Sequence, residues 1–411
     1  MTDRDAAVPS HADETAAGAS PLWALIATMA MQMLATMAAF SMPAIAPAVA
    51  RDTGVDGALV GYFIATIYGV GIVSAIVSPS LIRRYGAVRV SQAVMLSVLA
   101  MLAIVAIGGL AAFALGAVLL GLTYGATAPA STHLLVPRAK AANLNLLLSI
   151  RQVGVPLGGV LAALILPPIV VVAGWRPALL LQLPPSLLLL LLLELPRRRW
   201  DADREPRHPF SLQNALRPLR LLGESAELRR LSLVGFTYSG IQLCFIGFMT
   251  VHLTKAAGLD LIQAGLALAV YQGAGVISRP VWGWIADRFV AARWLLVLHG
   301  FGMAAAAIAS ARFDPAWPGV AIMLVAAVAG ATASGFTGIA YAEYARLGGS
   351  RRTEATGLGA SAMFSGVMLL PAGFSLLVGL SQDYGLAYGV MAALACVSAT
   401  VLALPAAAAQ Q

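Results

Sequence analysis

The stretch "PRRRWDADREPRHPFSLQNALRPLRLLGESAELRR", residues 196–230, is the only long polar segment inside an otherwise apolar sequence. Its arginines alternate with acids and it contains prolines, a pattern typical of a solvated linker. Of the 411 residues, 60% are hydrophobic and 11% are charged, whereas a soluble protein carries about 25% charged residues. Because so few charges cannot cover a water-facing surface, the chain is predicted to cross a membrane several times.

Apolar runs flank this linker on both sides. A spanning helix needs about 20 mainly apolar residues, and twelve segments meet that requirement, six before the linker and six after it. The twelve segments run over about 22–49, 57–82, 88–107, 110–135, 142–172, 176–195, 228–254, 260–285, 293–311, 317–344, 354–380 and 384–406. The sequence therefore predicts an all-α membrane protein of twelve transmembrane helices.

The polar segments set the predicted domain boundaries. The expected organisation is a disordered cytoplasmic tail (1–20), a six-helix bundle (21–195), a cytoplasmic linker (196–227), a second six-helix bundle (228–406) and a short cytoplasmic tail (407–411). The middle of the linker, near 210–222, is predicted to form a short amphipathic helix on the membrane surface.

Arginine and lysine are strongly biased to one set of loops, and the formal net charge is +8. That set contains Arg4, Arg83, Arg84, Arg89, Arg138, Lys140, the linker arginines, Arg288, Arg293, Arg346, Arg351 and Arg352. The opposite loops contain Arg51, Arg176, Lys255 and Arg312. Because positive loops stay in the cytoplasm, both termini are predicted there, with the protein in a bacterial inner membrane.

The two halves echo each other. In the fourth segment Gly125 precedes His133 by eight residues, and in the tenth Gly335 precedes Glu343 by the same spacing. A basic loop follows in each half, and the next segment carries a proline, Pro156 or Pro371. Repeats of this kind are a feature of secondary transporters.

The segments "RPVWGWIADR" (279–288) and "GWR" (174–176) are similar to signatures of the major facilitator superfamily. This resemblance implies two pseudo-symmetric six-helix bundles around a central cavity that opens alternately to each side. It also implies gating roles for Asp287 and Arg288 in the loop after helix 8. In the loop between helices 2 and 3, Arg83 stands where the family has an acid. That acid is expected to stabilise one conformation of the transporter, so the resemblance predicts a weaker contact in the first half.

Arg151 and Arg279 lie inside predicted spans, at an expected depth near the middle of the membrane. A charge at the bilayer centre costs about 2.5–3.5 kcal/mol on insertion scales, so such residues usually face a cavity or a partner. The superfamily resemblance places their helices, 5 and 8, opposite each other at the bundle interface. Two cations without an acid at that depth predict an anionic substrate, which the planar guanidinium would bind through two parallel hydrogen bonds.

Neutral polar residues are expected to complete this anion site. The predicted substrate-contacting residues besides the two arginines are Gln152, Tyr271, Gln272, Tyr124, Gln242 and Tyr238. A structural alternative stays open for both arginines, in which each caps helix carbonyls or bridges the bundles; for Arg151 this alternative is the stronger.

Helix 8 is also similar to the arginine-proline segment of monocarboxylate porters, a resemblance that covers Arg279 and Pro280. It implies that Arg279 binds a carboxylate and that the substrate is a small organic anion such as a monocarboxylate. Proton symport would make the import of a monovalent anion electrically neutral. Gly275 stands where those porters carry the acid that takes part in proton coupling.

Glu343 and His133 lie at equivalent ends of helices 10 and 4, so both are candidates for gating or proton coupling. For Glu343 we favour a gate formed with Arg346 or a loop arginine over proton transfer. For His133 we favour a structural role at the helix end over proton transfer.

Other functions are compatible with the sequence. Met29, Met33 and Met37 share one helix face and could bind copper(I) in a copper importer, although packing is the commoner role of such a stripe. A drug or metabolite exporter working as a proton antiporter and a non-transporting membrane sensor are further alternatives. Enzyme activity, a cofactor, a metal site and nucleic-acid binding are not expected, and the protein is predicted to be a monomer in the lipid bilayer.

Overall fold

A computed structural model describes residues 21–138, 150–208 and 220–404 of the chain. Within these residues, twelve helices are long and apolar enough to cross a membrane, which confirms the prediction. They are α1 Leu22–Thr53, α2 Gly57–Tyr85, α3 Ala87–Val105, α4 Leu110–Leu135, α5 Ile150–Ala173, α6 Trp175–Leu192, α7 Ala226–Ala256, α8 Leu261–Ala286, α9 Ala292–Ala311, α10 Gly319–Gly348, α11 Ala355–Ser381 and α12 Tyr384–Ala403. The predicted tails and most of the amphipathic helix near 210–222 lie outside the described residues.

The similarity between the two halves is visible in α4 and α10, which are both irregular helices. In α4 the helix breaks between Tyr124 and Thr127, where Gly125 lies so close to α2 that a methyl group on it would overlap the carbonyl oxygen of Gly71. In α10 the segment Gly330–Ser334 forms a π-helical turn. Single π-helical turns inside α-helices often occur at functional sites because they disturb the regular hydrogen-bond ladder.

Helices α1 and α7 occupy central positions, since 78% and 89% of their most apolar windows are buried, compared with 33% for α6. Each central helix packs within its own bundle: α1 against α5, and α7 against α11 and α12. The difference in burial places α6 toward the lipid, as expected from its unbroken run of leucines.

The protein has two membrane faces. We call the one with the linker and the α2–α3 and α8–α9 loops the linker face, and the one with the α1–α2 and α7–α8 loops the far face. Near the far face, the hydroxyl of Thr250 donates to the carbonyl of Pro43 at 2.5 Å, and that of Ser375 donates to the carbonyl of Ala58 at 2.5 Å. A methyl group added to Gly61 would overlap the carbonyl oxygen of Pro371. The two bundles are therefore in direct contact at the far face.

The beginning of the linker folds back onto the first bundle. The carboxylate of Asp201, which is 5% exposed, accepts hydrogen bonds from the backbone N–H groups of Val88 at 2.8 Å and Arg89 at 3.2 Å. Burial raises the pKa of Asp201, while these two hydrogen bonds act in the opposite direction. Its carboxylate occupies the space beside Gly86, whose φ of 99° suits a glycine. An acid from the linker therefore caps α3 next to the loop in which Arg83 replaces the expected acid.

Candidate functional site

Arg151 lies against α1 and is 3% exposed. Its Nη2 donates to Oε1 of Gln32 at 2.7 Å, and its Nη1 donates to Oε1 of Gln152 at 3.2 Å. Its Nε is buried and has no hydrogen-bond partner. The α1–α5 approach is close because Gly154 lies beside Gln32 and the backbone of Met29. The guanidinium is thus held by neutral amides, and its Nε–H group makes no hydrogen bond.

A chain of polar side chains continues from this arginine into the first bundle. Nε2 of Gln32 donates to the hydroxyl of Thr36 at 3.0 Å, which lies 3.3 Å from the hydroxyl of Tyr124. The Tyr124 hydroxyl is in turn 3.4 Å from that of Tyr68. The ring of Tyr68 lies 6.0 Å from the ring of Phe364 on α11, in the second bundle. Tyr124 is among the residues predicted from the sequence, whereas Gln32 and Thr36 are not, although an amide inside an apolar span is a visible signal.

Arg279 contacts the π-helical turn of α10. Its Nε donates to the carbonyl oxygen of Ser334 at 3.0 Å, and its Nη2 donates to the Ser334 hydroxyl at 3.2 Å. One turn further along α8, Nε1 of Trp282 donates to the carbonyl oxygen of Ala331 at 2.9 Å. The bonds from Arg279 Nε and Trp282 Nε1 satisfy two backbone carbonyls of the irregular turn. This arrangement matches the structural alternative for Arg279, in which the arginine caps helix carbonyls.

The two arginines are at similar depths but do not contact each other. The close α5–α8 contact is formed by Gly159, where a methyl group would overlap the side chain of Gln272. From that contact, Arg151 lies eight residues (about 12 Å) and Arg279 seven residues (about 10 Å) toward the linker face. Nε2 of Gln272 is buried there without a partner.

The expected mid-membrane depth of the arginines stays a prediction. Arg151 lies about 33 Å along α5 from its far-face end at Ala173, and Arg279 lies about 27 Å along α8 from Leu261. Arg151 therefore lies at the start of the described part of α5, and Arg279 lies in the linker-face third of the described α8. The residues 142–149, on which the estimate for Arg151 rested, lie outside the described part of the chain.

No described acid neutralises either arginine. The eight ion pairs found among residues 21–138, 150–208 and 220–404 include neither Arg151 nor Arg279. A buried charge is costly unless it is paired and hydrogen-bonded. The arrangement is therefore suited to receive an anion, most clearly at Arg151, which retains an unused donor.

The other predicted cavity residues divide into two groups. The hydroxyl of Tyr271 donates to the carbonyl oxygen of Gln242 at 3.3 Å, and Nε2 of Gln242 donates to the Ser334 hydroxyl at 3.4 Å. These residues thus form one cluster with Arg279. Tyr238 instead donates to the carbonyl oxygen of Leu296 on α9 at 3.0 Å and is fully buried in its own bundle.

The predicted gating residues lie at the linker face. Glu343 and Arg346 form two hydrogen bonds, at 2.6 and 2.8 Å, within the last turns of α10, so the predicted pairing partner is the observed one. Nε2 of His133 lies 2.8 Å from Oδ2 of Asp203 in the linker. Arg288 lies over the ring of Trp284 at 5.7 Å, whereas the side chain of Asp287 lies outside the described residues.

The methionine stripe of α1 faces α5. A methyl group on Gly154 would touch Met29, and one on Gly158 would overlap the backbone of Met33. Among the described residues, no group of three or more His, Cys, Asp or Glu side chains is placed to hold a metal ion. The stripe is thus part of the α1–α5 packing surface.

A cavity of about 270 Å³ opens near the far face between α1, α2 and α4. It is mainly apolar, and its lining includes Met42, Phe63, Phe113 and Asp56. Neither arginine lines this cavity, so it is separate from the candidate anion site.

Comparisons with known proteins agree on the fold. A sequence model of the Major Facilitator Superfamily matches residues 24–371 and 231–410. A bacterial homologue of the human lysosomal transporter Spinster, in an inward-facing and occupied conformation, superposes with a TM-score of 0.70 at 15% identity, covering 94% of this chain and 97% of that one. The xylose transporter XylE of E. coli, in an inward-open conformation, gives a TM-score of 0.70 at 14% identity, covering 95% and 98%.

One curated relative has a named anionic substrate. The nitrate/nitrite transporter NrtP of Nostoc punctiforme is 26% identical over 157 residues, which are 36% of this chain. The match spans about a third, 31%, of that relative's length.

Proposed function

The chain belongs to the Major Facilitator Superfamily, and on this basis we propose that it is a secondary transporter of a small monovalent oxyanion. Carboxylates and nitrate share a planar arrangement of oxygen atoms about one centre, which matches the fork of a guanidinium. The proposal therefore includes both the small organic anion predicted from the sequence and nitrate, the substrate in the name of the partial relative.

The observation that carries this proposal is a buried guanidinium without a carboxylate. Arg151 is 3% exposed, it is held by the amide oxygens of Gln32 and Gln152, and its Nε has no partner. Arg279 lies at a similar depth across the α5–α8 contact and is bonded to Ser334. A bound anion would relieve the cost of the buried charge on Arg151 and would neutralise the half-buried Arg279, whereas a cationic substrate would be repelled by both.

The transport mechanism that we propose is alternating access. The far-face contacts that join Thr250 to Pro43 and Ser375 to Ala58 would close one entrance, and the site would then communicate with the linker face. From the arginine bias we propose that the linker face is cytoplasmic in a bacterial inner membrane, so the structure would represent an inward-facing state. Symport with a proton would keep the import of a monovalent anion electrically neutral.

A ligand-binding screen tests the proposal. Purified protein in detergent would be heated with nitrate, acetate, lactate, dicarboxylates, organic cations or neutral drugs. A ligand at 100 times its dissociation constant should stabilise the fold by about 2.7 kcal/mol. We expect monovalent oxyanions to stabilise the protein, and Arg279→Gln to remove that response, while Arg312→Gln, a change at an exposed arginine, should preserve it.

One outcome would contradict the proposal and another would restrict it to Arg151. Stabilisation by cations or neutral drugs alone would indicate the exporter and return both arginines to structural roles. An Arg279→Gln variant with unchanged affinity for the anions would remove Arg279 from the binding site.

A further inference from the structure

The most unusual feature of the Arg151 environment is that its hydrogen-bond acceptors come from amides. Arginine carries five N–H donors and no acceptor, and here two of its nitrogens bond to Oε1 of Gln32 and Oε1 of Gln152. The oxygen of an anion adds a coulombic attraction to the guanidinium that a neutral amide oxygen lacks. Amide oxygens therefore occupy positions in which an anion's oxygens would bind more strongly.

Gln32 is held with its oxygen toward the guanidinium. Its Nε2 donates to the hydroxyl of Thr36 at 3.0 Å, so the opposite end of the amide, Oε1, accepts from Arg151 at 2.7 Å. The side chain is 3% exposed. Gln152 differs because it lies on the exposed side of α5 and its bond is longer, at 3.2 Å.

We infer that Gln32 is the selectivity residue of the transporter and that its amide oxygen competes with the substrate's oxygen for Nη2 of Arg151. This inference rests on the proposed function. An arriving oxyanion would displace Oε1 of Gln32 from Nη2, and the amide would then rotate away from the guanidinium. A neutral or cationic solute would gain nothing by replacing the amide oxygen, because it brings no negative charge to the buried cation.

A chain of side-chain contacts connects Gln32 to the second bundle. Rotation of the amide would release the hydroxyl of Thr36, which lies 3.3 Å from that of Tyr124. Tyr124 contacts Tyr68, whose ring meets Phe364 of α11 at 6.0 Å. Occupation of the site would thus change a contact chain that ends at the interface between the bundles.

The test compares two substitutions that act in opposite directions. Gln32→Glu places a permanent carboxylate on Arg151, so nitrate and acetate should bind at least about tenfold more weakly to the purified protein. Gln32→Met removes the competing oxygen without adding a charge, so both anions should bind more tightly than to the wild type. Gln263→Glu, the same chemical change at an exposed helix start of α8, is the control and should leave binding unchanged.

Binding would be measured by thermal shift and by isothermal titration with nitrate and acetate. A wild-type protein that binds neither anion would refute the proposed function itself. A wild type that binds, with a Gln32→Glu variant of equal affinity, would refute only the role of Gln32. If Gln32→Glu cannot be purified, unchanged or weaker binding by Gln32→Met overturns the inference, because a purely structural glutamine predicts no gain of affinity.

Discussion

Closure of the far face depends on the absence of a side chain at Gly61. A methyl group there would overlap the carbonyl oxygen of Pro371, the hydroxyl of Ser375 and the ring of Phe248. One overlap is with backbone, and Ser375 is held by its hydrogen bond to Ala58 at 2.5 Å, so relief requires α2 and α11 to separate. Overpacking of this kind costs about 1–3 kcal/mol. Gly61→Ala should therefore shift the equilibrium by about 5–150-fold toward the state in which the far face is open.

Spin labels would measure that shift. With Cys244 and Cys396 replaced by alanine, Arg51→Cys on the first bundle and Ser381→Cys on the second place exposed labels at the far face. Electron–electron distance distributions should show a longer population in Gly61→Ala. Gly373→Ala is the matched control, because a methyl group on Gly373 in α11 meets no atom within 4 Å. Identical distributions in Gly61→Ala and in the parent would refute the argument.

Two further predictions concern the linker. Asp201→Ala should lower the free energy of unfolding by about 1 kcal/mol, because it removes the cap of α3, and thermal unfolding that is unchanged would contradict this. The hydrogen bond from Arg351 lowers the pKa of Glu224 below its ordinary value of 4.5. The stabilisation from the ionised Glu224 is therefore present above pH 4.5 and is lost as the pH falls below 4.5. The free energy of unfolding lost on Glu224→Gln should accordingly be smaller at pH 3 than at pH 7. An equal loss at the two pH values would contradict this prediction.

The site could be predicted from sequence only in part. Arg151 and Arg279 stand out because charges are rare within apolar spans, and the halves could be aligned from the spacing of Gly125 and Gly335. Gln32 was missed because one amide in a span can equally be a packed core residue. The bond from Arg279 to Ser334 depends on the π-helical turn of α10, and no residue pattern in the sequence predicts that turn.

The sequence by itself determined that the chain lies in a membrane, that it has twelve spanning helices and that these form two sets of six. Hydropathy and segment length decide these features, and both act locally along the chain. Only the tertiary structure decided which groups meet: Gln32 with Arg151, Ser334 with Arg279, and Asp201 with the start of α3. These partners are 119, 55 and 113 residues apart. Helical periodicity assigns a residue to a face of its helix, but the packing of helices against each other chooses what that face contacts.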